Sequence, residues 1–213
     1  MLRLIVSELR EHAPFTALGA ITGIIVMVTI VLANVSSGVS EAIFFTLHPL
    51  HVVLSALATT AMYGKHGSRR VWAVLLVGYF GSIGVATLSD VVVPYLGGTL
   101  LNLEIELEIP FVDEWWLIHP AALLGITIGY LRPTTKFPHF GHVLLTTWAS
   151  LFYFTAFGVV DSWIPLLPFI FLFLFLSVWA PVCTSDIVFP LLLTGKKLPP
   201  GHNSHSFHVE GKK

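Results

Sequence analysis

Six apolar stretches, at 15–34, 42–63, 71–96, 115–131, 141–160 and 163–181, take up most of the chain and constrain its fold more than any other feature. A hydrocarbon core of roughly 30 Å is crossed by about 20 apolar residues of helix, and lipid offers no partner to an unpaired peptide group. Five of the stretches reach that length. The sixth, 115–131, is shorter but is bounded by Trp115, Trp116 and Tyr130, ring types that settle at the membrane–water interface. Composition agrees: 55% of the 213 residues are hydrophobic and 11% charged, less than half the charged share of a soluble domain. The expected fold is an all-α membrane protein, a six-transmembrane-helix bundle whose short connections favour antiparallel neighbours.

The basic residues give this count a test. Arg3 and Arg10 precede the first span; Lys65, Arg69 and Arg70 lie between the second and third; Arg132 and Lys136 lie between the fourth and fifth; Lys196, Lys197, Lys212 and Lys213 follow the sixth. In a six-span hairpin array all eleven fall on one side. Retention of Lys and Arg in the cytoplasm then places both termini inside. The opposite loops carry Glu41, Glu104, Glu106, Glu108, Asp113, Glu114 and Asp161. Three regions follow: a cytoplasmic amphipathic N-terminus over 1–14, with 2–9 as a short surface helix, a six-helix transmembrane domain over 15–194, and a cytoplasmic His-containing tail over 195–213. The first apolar run is as long as a full span and follows Arg10, Glu11 and His12 directly, so it reads as a signal anchor at the cell membrane. No basic face large enough for nucleic acid exists, and the single cysteine, Cys183, excludes an internal disulfide.

One outer segment reads as neither helix nor plain loop. From Leu101 to Ile109 apolar and polar residues alternate strictly, and Pro110 ends the run, which is the pattern of a β-strand. The bundle thus gains a short acidic β-like outer loop with Glu104, Glu106 and Glu108 on one face. A lone strand leaves its backbone unpaired, so a second copy of the chain is an expected partner, making a homo-oligomer. The acidic segment reads equally as a solvated loop that happens to alternate or as a face that collects cations.

Histidines and one aspartate interrupt the spans. His48 and His51 are three apart and share a helix face, which Ser55 and Thr59 continue. Asp90 lies seven residues from the outer end of span three, with Thr87 on its own face, and His119 lies about one turn into span four. At 1.5 Å per residue these four converge on a layer near the outer side. Ionisable groups at membrane depth are costly and face the bundle interior or a wet cavity. Neutral imidazoles with one carboxylate suit zinc, nickel or ferrous iron. His48, His51, Asp90 and His119 are therefore the expected metal ligands; their other use is as polar contacts between helices. Pro49 either kinks span two at the histidines, freeing the Phe45 carbonyl, or marks the first residue of the span, and Pro120 carries the same two readings.

A second group falls toward the inner surface: His139 and His142 at the start of span five, Cys183 and Asp186 just beyond Pro181, and His202, His205 and His208 in the tail, where a His-rich tract can collect metal. Three functions fit these residues. The first is a metal-ion permease or metal-binding transport subunit, with the lipid bilayer and a metal ion as partners. The second is a b-type haem electron-transfer protein, with His119 and His48 or His51 as axial ligands. The third is an intramembrane zinc-dependent hydrolase. P-loop and kinase motifs are absent. His-Pro pairs on two spans, His48-Pro49 and His119-Pro120, are similar to the His-Pro motif of the nickel permeases associated with hydrogenase and urease operons. Leu50 and His51 follow Pro49 where that family has an Asp-His pair, so no residue role is carried over.

Overall fold

The computed structural model describes residues 2–66, 70–132, 136–159 and 163–183, and side chains for all of these but 2–12, 15, 65–66, 136–140, 180 and 182–183. The chain is mostly helical. Its helices are α1 (Leu2–Leu32), α2 (Ser37–His66), α3 (Val71–Leu100), the single turn α4 (Pro110–Asp113), α5 (Trp115–Leu131), α6 (Lys136–Phe157) and α7 (Leu167–Cys183). A 3-10 turn, Ile164–Leu166, leads into α7. The stretches 42–63, 71–96, 115–131, 141–160 and 163–181 coincide with helices to within about five residues, whereas 15–34 covers only the C-terminal part of α1. Ser37–Gly64 and Val71–Leu100 are long and apolar enough to cross a membrane, and Thr16–Leu32, Trp115–Leu131 and Ile164–Trp179 are shorter apolar helices.

Several helix ends follow from single residues. Asn34 (φ 50°) and Asn102 (φ 55°) adopt the left-handed conformation that asparagine tolerates better than most side chains. At the first, Val35 N–H bonds to Ile30 O and Asn34 N–H to Val31 O; at the second, Leu103 N–H bonds to Gly98 O and Asn102 N–H to Thr99 O. These paired bonds close α1 and α3 with the same terminal motif, satisfying carbonyls that would otherwise be orphaned. Residues 2–9 are helical as expected, but they continue into α1 without interruption through Pro14. Pro49 lies inside α2 and Pro120 inside α5, so neither begins its helix.

At the centre α2 packs against α6, α5 and α3, while α1 lies against α6 and α7. The close approach of α5 to α2 depends on Gly125 and Gly129: a methyl at Gly129 would stand 2.7 Å from the Leu57 carbonyl oxygen, and one at Gly125 would collide with the Val53 carbonyl. Small residues four apart allow such backbone contact. Hydroxyl-bearing residues are buried beside the apolar core, and large apolar residues remain on the surface. Ser55, Thr59, Ser82, Thr146, Thr147 and Ser150 are buried, whereas Leu18, Ile25, Phe80, Leu124, Phe169 and Leu172 are exposed.

The acidic strand, expected to lack a partner of its own, pairs within the chain. Glu104–Ile105 and Gly158–Val159 form a two-stranded antiparallel sheet, Glu104 opposite Val159 and Ile105 opposite Gly158. Glu106 N–H extends the pairing to Phe157 O. The Tyr153 hydroxyl donates to Glu106 O at 2.9 Å and accepts from Glu108 N–H at 3.1 Å. Alternation places Leu101, Leu103 and Ile105 against Phe154, Ile170 and Leu174. Leu107 is exposed, so the alternating face reaches the core only as far as Ile105.

Candidate metal centre

His48 and His51 occupy the middle of α2, and Asp90 the middle of a π turn, Leu88–Val92, that interrupts α3. A π turn carries one extra residue per turn, shifts the helix register and often marks a functional position. Here the Ser150 hydroxyl on α6 stands 2.9 Å from the Ser89 carbonyl oxygen, tying the widened turn to the neighbouring helix. All three ionisable residues are fully buried.

Asp90 brings the two imidazoles together. His48 Nδ1 lies 2.9 Å and His51 Nδ1 2.6 Å from the same Asp90 oxygen, Oδ2. Toward the other oxygen, Oδ1, the Ser89 hydroxyl donates at 2.8 Å and the Thr146 hydroxyl at 3.2 Å. Four donors around two oxygens fit an ionised carboxylate, because an anion acquires in this way the solvation it loses on burial. With both Nδ1 atoms as donors, each ring presents an Nε2 lone pair on its opposite edge. His48 Nε2 is buried and has no hydrogen-bond partner. His48 stacks on Phe44, ring centroids 5.3 Å apart, which fixes the plane of the imidazole.

Ligand atoms of His48, His51 and Asp90 all lie within 4.8 Å of one another, and this group could hold a metal ion. Two imidazoles and a carboxylate make three ligands, which leaves a fourth position open for water or a substrate. The lone pair of His48 Nε2 offers a second mode, in which Asp90 orients the ring through Nδ1–H while Nε2 binds metal.

The remaining sequence-derived residues divide. His119 is outside this group: its Nδ1 lies 3.0 Å from the Tyr79 hydroxyl, in a contact between α5 and α3. Thr87, expected beside Asp90, has no hydrogen-bond partner for its hydroxyl. His142, expected at the inner surface, is instead fully buried, with its Nε2 2.6 Å from His51 Nε2. Thr146, also missed, stands 2.7 Å from His51 Nδ1 and 2.6 Å from His51 Nε2. A signal for both was present. His142, Thr146 and Ser150 recur every four residues and form a polar stripe on α6, the counterpart of His48, His51, Ser55 and Thr59 on α2. The side chains of His139 and Cys183, together with Asp186, His202, His205 and His208, lie outside the described residues.

Comparison of the chain with family models, with curated proteins and with solved structures gives no match.

Proposed function

We propose that this chain is a six-span membrane protein, both termini cytoplasmic, that binds a divalent transition-metal ion within the bilayer and acts as a permease or as the metal-binding subunit of one. The observation that carries the reading is the buried group of His48, His51 and Asp90, with an unpartnered imidazole nitrogen on His48. Burying a carboxylate and two imidazoles in an apolar bundle is expensive, and such residues in membranes commonly mark ion pathways. Helix packing alone needs only neutral hydrogen-bonding groups, not a charge.

Three further features support the membrane setting and the direction of traffic. Large leucine and phenylalanine side chains are exposed on the exterior while hydroxyls, imidazoles and the carboxylate are buried among apolar core residues, an arrangement that suits lipid outside and a polar path within. Every Lys and Arg falls on one side of a six-span array, which fits a cytoplasmic face there. At the other end the acids of the paired outer strand would raise the local concentration of cations before they enter. Zinc, nickel and ferrous iron all accept imidazole and carboxylate ligands, so the ion is assigned by class.

The test is uptake of zinc into proteoliposomes, read with an entrapped fluorescent chelator. Wild-type protein should give uptake that saturates with zinc concentration, and His48→Ala/His51→Ala should fall to the rate of protein-free vesicles. Equal rates for both proteins would overturn the reading.

A further inference from the structure

We infer that His142, the Nε2 edge of His51 and the Thr146 hydroxyl form a second metal station beside the Asp90 group, and that His51 is the ligand shared between the two. The inference rests on the metal-binding reading above and extends it from one site to a path.

An imidazole carries its two nitrogens on different edges of the ring, and His51 uses both. Nδ1 is 2.6 Å from Asp90 Oδ2, so that edge belongs to the first station. The opposite nitrogen, Nε2, is 2.6 Å from His142 Nε2 and 2.6 Å from Thr146 Oγ1. While the first station is empty, Asp90 holds the ring proton on Nδ1 and His51 Nε2 presents its lone pair toward His142; a metal bound at Nδ1 puts that proton on Nε2, so the two stations are filled in turn and not together. Two ring nitrogens at that separation cannot both present lone pairs: either His142 donates an Nε2–H to His51, or a metal ion stands between them.

The geometry admits the metal. Nitrogens on a tetrahedral zinc with bonds of about 2.1 Å stand roughly 3.4 Å apart, so the pair must open by roughly 0.8 Å. The two rings are tilted by 43° with centroids 4.6 Å apart. They meet at an angle and not face to face, so a small turn about each side-chain bond widens the gap without unstacking anything. Thr146 then supplies an oxygen ligand.

The two stations differ in charge. The first contains the Asp90 carboxylate; the second has no acidic side chain. A cation is therefore held more tightly at the first and released more readily from the second, and passage requires sites that bind well enough to admit an ion and loosely enough to let it leave. Their order along the fold agrees. α6 ends at Phe157 beside the acidic strand, Ser150 and Thr146 contact the Asp90 turn, and His142 lies one helical turn further from the acidic end. An ion entering from the acids would meet Asp90 first and His142 second.

Cadmium serves as the probe, with all proteins in a Cys183→Ser background so that no native thiol competes. His142→Gln retains an amide donor able to bond His51 Nε2 but is a poor ligand; His142→Cys restores a ligand of a different kind. The Gln variant should bind cadmium at the Asp90 group with a Kd within about threefold of wild type, while its uptake into proteoliposomes falls at least tenfold. The Cys variant should recover uptake. Loaded with cobalt(II), it should also show a thiolate-to-cobalt charge-transfer band in the near ultraviolet. Wild-type uptake by His142→Gln, or bound cobalt without that band in His142→Cys, would reduce His142 to a hydrogen-bond partner and overturn the inference. Loss of all binding in His142→Gln would make it part of a single site and overturn it too. Failure of the wild type to bind cadmium or zinc would instead sink the metal-binding reading itself.

Discussion

Replacing Asp90 separates the two roles that a buried carboxylate can play. In Asp90→Ala the four donors around the carboxylate lose their acceptor. Ser89 can turn to the Ala86 carbonyl at 3.3 Å and Thr146 to His51 Nδ1 at 2.7 Å, so the hydroxyls recover. The imidazoles fare worse. His48 Nε2 has no partner, so neither tautomer of that ring is satisfied, whereas His51 can move its proton to Nε2 and donate to His142. A buried donor left without an acceptor costs about 1–3 kcal/mol. With His48 fully and His51 partly affected, the loss is about 2–4 kcal/mol. For a chain of this size that lowers the melting temperature by roughly 10 °C. Asp90→Asn behaves differently: its carbonyl oxygen still accepts both imidazoles while its amide faces hydroxyls that can reorient, so the melting temperature should fall by only a few degrees. Its metal affinity, having lost the one anionic ligand, should fall about 100-fold or more. Thermal melting monitored by size-exclusion chromatography reads stability, and competition with a chelating dye reads affinity. Wild-type affinity in Asp90→Asn, or wild-type stability in Asp90→Ala, would refute the reasoning.

Gly125→Ala places a methyl against the Val53 carbonyl, a backbone atom that cannot rotate away; overpacking of this kind costs about 1–3 kcal/mol, visible as a lower melting temperature in detergent. Tyr153→Phe removes the hydroxyl that joins Glu106 O and Glu108 N–H, and faster amide exchange confined to 104–108 should report it. Glu108 is held above the usual carboxylate range, first by partial burial and then by the charges of Asp113, Glu106, Glu41 and Glu114. A carboxyl raised in the folded state binds its proton more readily there than in the unfolded chain, so its ionised form destabilises the fold at neutral pH and relief comes as pH falls through its folded pKa. Glu108→Gln should therefore melt higher than wild type at pH 7, with the difference closing as the pH is lowered toward the ordinary glutamate range; a difference independent of pH would contradict this.

The helices were legible because long apolar runs have one simple solution, and the stretch 115–131 matches α5 residue for residue. Helix ends were less so: α2 begins at Ser37, five residues before its apolar run, because helical hydrogen bonding does not stop where hydropathy does. The strand pattern at 101–109 was visible, but its partner, Gly158–Val159, carries no alternation of its own, and so the pairing waited on the bundle bringing the two ends together. At the site, helix-face spacing on α2 placed His48 and His51 correctly, and depth alone brought Asp90 to them. Depth alone also suggested His119, but depth does not specify the face of a helix, and His119 meets Tyr79. The π turn at Leu88–Val92 rotates the face of α3 in a way that 3.6-residue periodicity does not foresee, and this is why Ser89, not Thr87, stands beside the carboxylate.

The metal content of the purified protein tests the central claim most directly. Wild-type protein and His48→Ala/His51→Ala, both prepared without an affinity His-tag, are equilibrated with excess zinc, desalted and measured by inductively coupled plasma mass spectrometry. Retained metal in the wild type, at about one ion per chain or more, and its loss from the double variant is the result expected of a centre built from α2 and α3. Equal, near-zero metal in both proteins would mean that the two histidines serve only to hold helices together.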